Sequence, residues 1–141
     1  MPESNAVDAT ESYNVLGETL RPLLTNAMGS AIEIFDTKGQ PGGGPPQHTH
    51  QWEEAYVVLS GTMEVHINGA TTRLEVGDTA HIPAGVPHGY TTLDETHFLT
   101  IVTKGNAAKF FKQAATEVEM NPPDVAGVLR VGAQNGITFL V

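Results

Sequence analysis

Cysteine is missing from all 141 residues, so neither a disulfide framework nor a thiolate site is available, and any metal must be held by nitrogen and oxygen. Basic residues are scarce. Seven Lys and Arg stand against sixteen Asp and Glu, a formal net charge of −9, which argues against nucleic acid and anionic membrane as partners. Long apolar runs are absent as well: the longest, Ala55 to Leu59, is far below the ~20 residues of a bilayer-crossing helix. The opening MPESNAVDATESYN has neither the positive nor the apolar region of a secretory signal, so the expected location is the cytoplasm. A chain of this length suits one domain with a single core.

What the chain does have is concentrated between Gly42 and Gly61, GGGPPQHTHQWEEAYVVLSG, with an echo at His88. On an extended segment, side chains two and four residues apart share a face. His48, His50 and Glu54 therefore project together, whereas Glu53 faces away. Imidazole nitrogen and carboxylate oxygen both bind divalent first-row metals at about 2.0–2.2 Å. The parity predicts a metal site on one strand, with Glu54 as its carboxylate, and the turn Pro83-Ala84-Gly85-Val86-Pro87 delivers His88 to it.

Elsewhere the pattern is that of short strands. Residues 1–12 read as a mobile arm. Tyr13 to Leu24, broken by Gly17 and Pro22, reads as short edge strands. Ala31 to Asp36 alternates as a half-buried strand with Ile32 and Ile34 on one face and Glu33 on the other. TKGQPGGGPPQ then reads as a long irregular loop, placed to form a lip over the site. Residues 54–60 form the core strand, with Glu54, Tyr56 and Val58 on the ligand face. Ala55, Val57 and Leu59 are apolar too, so both faces are expected to be covered. Asn68-Gly69 signals a hairpin between Thr62–Ile67 and Ala70–Val76, the latter with Leu74 and Val76 on one face. Short strands follow at Thr79–Ile82 and Thr96–Thr103. Asn106 can cap a helix beginning AAKFFKQAA, Pro122-Pro123-Asp124 can start a second helix ending near Gln134, and ITFL closes the chain as a short strand or packing segment. Many strands with a helical tail indicate a closed or double-sheet antiparallel β architecture.

Gly42-x5-His48-x-His50-x3-Glu54-x6-Gly61 resembles the first motif of the cupins, and Gly77-x5-Pro83-x-Gly85-x2-His88 resembles the second. Thr92 departs from the Asn that usually ends the second motif. The resemblance implies an all-β double-stranded β-helix, a jelly-roll barrel over 13–104, with a C-terminal helical tail over 105–141. It also implies one divalent transition metal (Fe, Mn, Ni, Co, Zn or Cu) held by His48, His50, Glu54 and His88, and a homodimer. Trp52 either lines the entrance or packs at its rim, and Tyr56 either lines the cavity or belongs to the core. His66 is expected at the surface, and His81 and His97 in structural roles.

GGGPP before the histidines and Phe110-Phe111 in the tail resemble the small cupins grouped with quercetin dioxygenases. That resemblance implies a metal-dependent dioxygenase for an enolisable aromatic or diketone-like small molecule, with Glu54 as catalytic base. A metal-dependent isomerase, cyclase or lyase of small-molecule biosynthesis, and a non-enzymatic cupin that binds a small ligand, are the other readings of the same residues.

Overall fold

The structure, a computed structural model, describes residues 11–140, so most of the expected N-terminal arm lies outside the described residues. Among the described residues eleven strands form two sheets, and every strand pair is antiparallel. The six-stranded sheet runs β1 (Tyr13–Val15), β2 (Glu18–Leu24), β3 (Ile32–Gly39), β10 (Thr96–Thr103), β5 (Glu54–Ser60), β8 (Thr79–Ile82). The five-stranded sheet runs β11 (Thr138–Phe139), β4 (His48–Thr49), β9 (His88–Thr92), β6 (Met63–Ile67), β7 (Ala70–Leu74). Two helices, α1 (Ala107–Glu117) and α2 (Val125–Gln134), follow β10.

Pro22 sits where a missing N–H does little harm. β1 pairs with β2 only as far as Leu20, and the β2–β3 register shifts just past Pro22. The hairpin between β6 and β7 turns on Asn68 and Gly69, both at positive φ (49° and 86°), as its sequence requires. β7 stops at Leu74, which is buried, and Val76 is 65% exposed beyond it, so the two do not share a core face as expected.

β3 reverses the expected facing. Its alternation buries Glu33, Phe35 and Thr37, while Ile32 is exposed and Ile34 half-buried. The aromatic ring, with most apolar area to lose from water, decides the face. Glu33 goes inward with it because its carboxylate accepts from the backbone N–H groups of Ala108 (3.1 Å) and Asn26 (3.0 Å), at the start of α1 and of a short 3-10 turn. Asn106 makes no side-chain cap on α1; Glu33 supplies the carboxylate from another element. Asp124 does cap α2, accepting from the Gly127 N–H.

β3 also continues through Lys38 to Gly39, so the irregular loop begins only at Gln40. That loop is pinned rather than loose. Thr92, fully buried, exchanges backbone hydrogen bonds with Gly42 (2.7 Å) and Gly43 (3.0 Å), and its hydroxyl donates to carbonyls of Gln40 and Gly43. Gly44 takes φ 122°, and a Cβ there would collide with the Tyr90 backbone, so only glycine fits.

Buried side chains fall into two groups. Tyr56, Val58, Met63, Val65, Ile82 and Phe98 pack between the sheets, while Phe35, Trp52 and Val102 pack with Phe110, Val128 and Val131 of the helices. On the outer face of β5, Ala55 and Val57 are half-buried and Leu59 is 43% exposed, so the expected cover of both faces is only partial there.

Candidate metal centre

His48, His50, Glu54 and His88 each offer a ligand-type atom, these atoms all lie within 4.8 Å of one another, and all four residues are buried. The sequence expected the first three on one strand. Instead β4 ends at Thr49, residues 50–53 are irregular, and Glu54 opens β5 in the other sheet. The chain crosses between the sheets in the middle of the ligand set. His88 arrives from β9, directly paired with His48, and the turn before it is fastened by the Gly85 N–H donating to the His50 carbonyl at 2.8 Å.

Each imidazole is held by its Nδ1, 2.9 Å from a backbone carbonyl: Pro46 for His48, Trp52 for His50, Val86 for His88. A carbonyl can only accept, so Nδ1 carries the hydrogen, and in the neutral ring Nε2 presents a lone pair. His88 Nε2 lies 2.9 Å and His50 Nε2 3.4 Å from Glu54 Oε1. Lone pairs of two imidazoles and a carboxylate facing one another at these distances call for a cation among them, either protons or a metal ion. Backbone-anchored imidazoles with Nε2 free are the arrangement expected of ligating histidines. The donor set therefore fits a single divalent metal site of the nitrogen–oxygen kind.

The electrostatics agree. Burial, reinforced by the nearby His88, pushes His48 down to about 4, which keeps its ring neutral at ordinary pH. Burial opposes ionisation of Glu54, but His50 and His88 outweigh it and hold the carboxyl well below the usual carboxylate range. Tyr56 donates to Glu54 Oε1 at 2.8 Å. Burial, together with Glu54, raises this phenol far above its ordinary value, so it remains a donor.

The cluster opens on a cavity between the two buried groups, walled by Trp52, Tyr56, Tyr90, Phe110, Phe111 and Phe139 among others. Three comparisons bear on it. Residues 37–103 match the cupin domain family, Cupin_2. Quercetin 2,3-dioxygenase of Bacillus subtilis (strain 168) is 32% identical over 101 residues, covering 69% of this chain and 30% of that protein. Among solved structures, the polyketide cyclase RemF of Streptomyces resistomycificus superposes with a TM-score of 0.61 at 27% identity, covering 73% of this chain and 80% of that one. An RmlC-like cupin from Shewanella frigidimarina superposes at 0.67 and 17% identity, covering 76% and 96%.

The chain carries a cupin domain. Its fold is the cupin jelly roll with C-terminal helices, and it spans less than a third of the length of the Bacillus relative.

The other candidate residues of this cupin lie as follows. Glu53 points outward and meets His81 at 2.9 Å, both side chains more than half exposed, so of the two glutamates it is Glu54 that joins the buried histidines. His97 pairs with Asp36 on the outer face of the six-stranded sheet, and Arg21 joins Asp36 at 3.0 Å. His66 is half-buried and hydrogen-bonded to Thr71 rather than free at the surface. Trp52 does more than pack at a rim: it is buried and stacks on the His50 ring, centroids 4.4 Å apart and planes 6° from parallel. Tyr56 both lines the cavity and belongs to the core.

Two features escaped the sequence reading. Phe139 of β11 pairs with His48 in the sheet, and its ring lies 5.4 Å from the imidazole, so the tail forms part of the cavity wall. Glu18 is buried on that wall too, its carboxyl against the Tyr90 hydroxyl. Alternation with Leu20 on β2 was the available signal, since the two share a face.

Proposed function

We propose that this cupin is a metal-dependent dioxygenase for an enolisable aromatic or diketone-like small molecule, with one divalent transition metal held by His48, His50, Glu54 and His88. The observation that carries the reading is the convergence of three buried, backbone-anchored imidazoles on one buried carboxylate at the end of an aromatic-walled cavity. When bound, the metal supplies Lewis acidity and open coordination positions.

The chain's own residues do the rest. Glu54 is the base that takes the proton from the substrate's enol or from the carbon between its carbonyls. The Tyr56 hydroxyl orients that carboxylate, and the backbone carbonyls of Pro46, Trp52 and Val86 fix the three rings. Trp52, Phe110 and Phe139 keep bulk water out and favour a flat, apolar substrate. Both atoms of O2 end in the products, so no external reductant is required. The Bacillus quercetin 2,3-dioxygenase supports this chemistry.

The polyketide cyclase among the structural neighbours favours a second reading, in which the same base enolises a substrate that then cyclises without oxygen. The test is oxygen uptake with flavonols and small diketones after separate loading with Fe(II), Mn(II), Ni(II) and Co(II). Uptake with incorporation of both oxygen atoms supports the dioxygenase. Turnover under anaerobic conditions supports the cyclase. Ligand binding without any product under either condition defeats both and leaves a binding module.

A further inference from the structure

A second carboxyl faces the cavity. Glu18 is only 6% exposed and forms no ion pair with a basic side chain among the described residues. Among the described residues its one side-chain partner is Tyr90, whose hydroxyl oxygen lies 2.6 Å from both Oε1 and Oε2. A phenol has a single proton, which fills one of those short contacts. Without a second proton both carboxyl oxygens compete for that one; with the carboxyl protonated, its own hydrogen rests on the Tyr90 oxygen and turns to a substrate oxygen when one is bound. Charge considerations run the same way: burial, with Glu54 nearby, pushes Glu18 up to about 8 against the lowering effect of Tyr90, and burial keeps Tyr90 a phenol.

The cavity thus has two chemically different carboxyls. Glu54, among imidazoles, is an acceptor; Glu18, with only a phenol beside it, is a donor. Between them stand the mutually edge-on rings of Tyr56 and Tyr90, centroids 5.1 Å apart. The space open to the centre of a water molecule is about 50 Å³.

We propose that Glu18 is a specificity residue that binds, in its acid form, a second oxygen of the substrate, so that the substrate is a small molecule with at least two oxygens, one directed to the His/Glu cluster and one to Glu18. This rests on the reaction proposed above for its first contact and adds the second. A neutral carboxyl can donate to a carbonyl or enolate oxygen and lacks the charge that would hold a cation, so the pair Glu18–Tyr90 favours oxygen-rich, uncharged or anionic ligands over amines.

The decisive measurement is infrared difference spectroscopy on the metal-loaded protein at neutral pH, wild type against Glu18→Gln, with pentane-2,4-dione, catechol and a flavonol as probes. The proposal expects a protonated carboxylic acid band that is absent from Glu18→Gln and moves when at least one probe is added. Glutamine can still accept from Tyr90, so the variant should fold. Should it fail to, Tyr90→Phe identifies the band instead, by shifting it. Affinity for the same probe, followed by Trp52 emission, should fall about tenfold in Glu18→Leu, the loss of one buried hydrogen bond. Absence of the band, or a band that none of the probes moves, overturns the proposal. A moving band without oxygen uptake defeats the dioxygenase and leaves Glu18 in its role; oxygen uptake with a motionless band does the reverse.

Discussion

Gly105→Ala tests whether the wall of the centre is as closely packed as the geometry requires. A Cβ at residue 105 would sit 2.6 Å from Cδ2 and 3.1 Å from Cγ of Trp52, well inside van der Waals contact. The indole is not free to retreat, because it is stacked on His50 at 4.4 Å between centroids. Forcing an extra methyl into such a place costs about 1–3 kcal/mol. With an unfolding entropy of ~2.1 cal/mol/K per residue over 141 residues, that is a fall in Tm of about 3–10 °C. Trp52 is the single tryptophan, so its emission reports on the stack without labelling. The expected result is a lower Tm by calorimetry, red-shifted emission as the ring moves toward water, and weaker metal binding because His50 loses its neighbour. A Tm within a degree of wild type, with unchanged emission, would refute the packing argument.

Two further predictions follow from single residues. Gly44→Ala should cost about 1–3 kcal/mol from its φ of 122° alone, with more from the clash against the Tyr90 backbone, read as a shift in the urea midpoint; an unshifted midpoint contradicts the pinned loop. With metal chelated, Glu18, whose pKa rises from an ordinary 4.5 to about 8, makes the folded chain bind more protons than the unfolded one between those values, so stability falls as pH rises through them. His48, lowered from 6.5 to about 4, acts oppositely, its contribution being complete above 6.5 and lost as pH drops toward 4. The two offset each other between 4.5 and 6.5, and from pH 6.5 to 8 Glu18 alone takes away about 2 kcal/mol at ~1.4 kcal/mol per pH unit. Glu18→Gln should flatten that decline in denaturant titrations; an equal decline in both proteins would show that the carboxyl is ionised when folded.

Much of the candidate cluster was legible because its spacing in the sequence is local. His48 and His50 two apart, Glu54 four further on, and His88 behind a Pro/Gly turn survive even though the assumed single strand does not exist: the chain leaves one sheet after Thr49 and enters the other at Glu54. Parity held across the irregular residues because the His50 Nδ1 reaches the Trp52 carbonyl and turns the ring back inward. The Asn68-Gly69 hairpin and the Asp124 cap were readable for the same reason, since each is satisfied within a few residues. What was not readable depended on partners distant in sequence. Glu33 faces inward because the N-terminus of α1, some 75 residues later, supplies its donors. Glu18 is buried because Tyr90 answers it from across the barrel, 72 residues away. Phe139 reaches the centre through a two-residue strand that no periodicity could announce.

Metal content of purified Glu54→Gln and Glu53→Gln, measured by elemental analysis beside wild type and His88→Ala, bears most directly on the proposed centre. Glu54 lies buried among three imidazoles, whereas Glu53 meets only the exposed His81. The expected result is a severalfold loss of metal in Glu54→Gln and His88→Ala, with Glu53→Gln close to wild type. Full occupancy in the first two, or the reverse order of the two glutamates, would contradict the site.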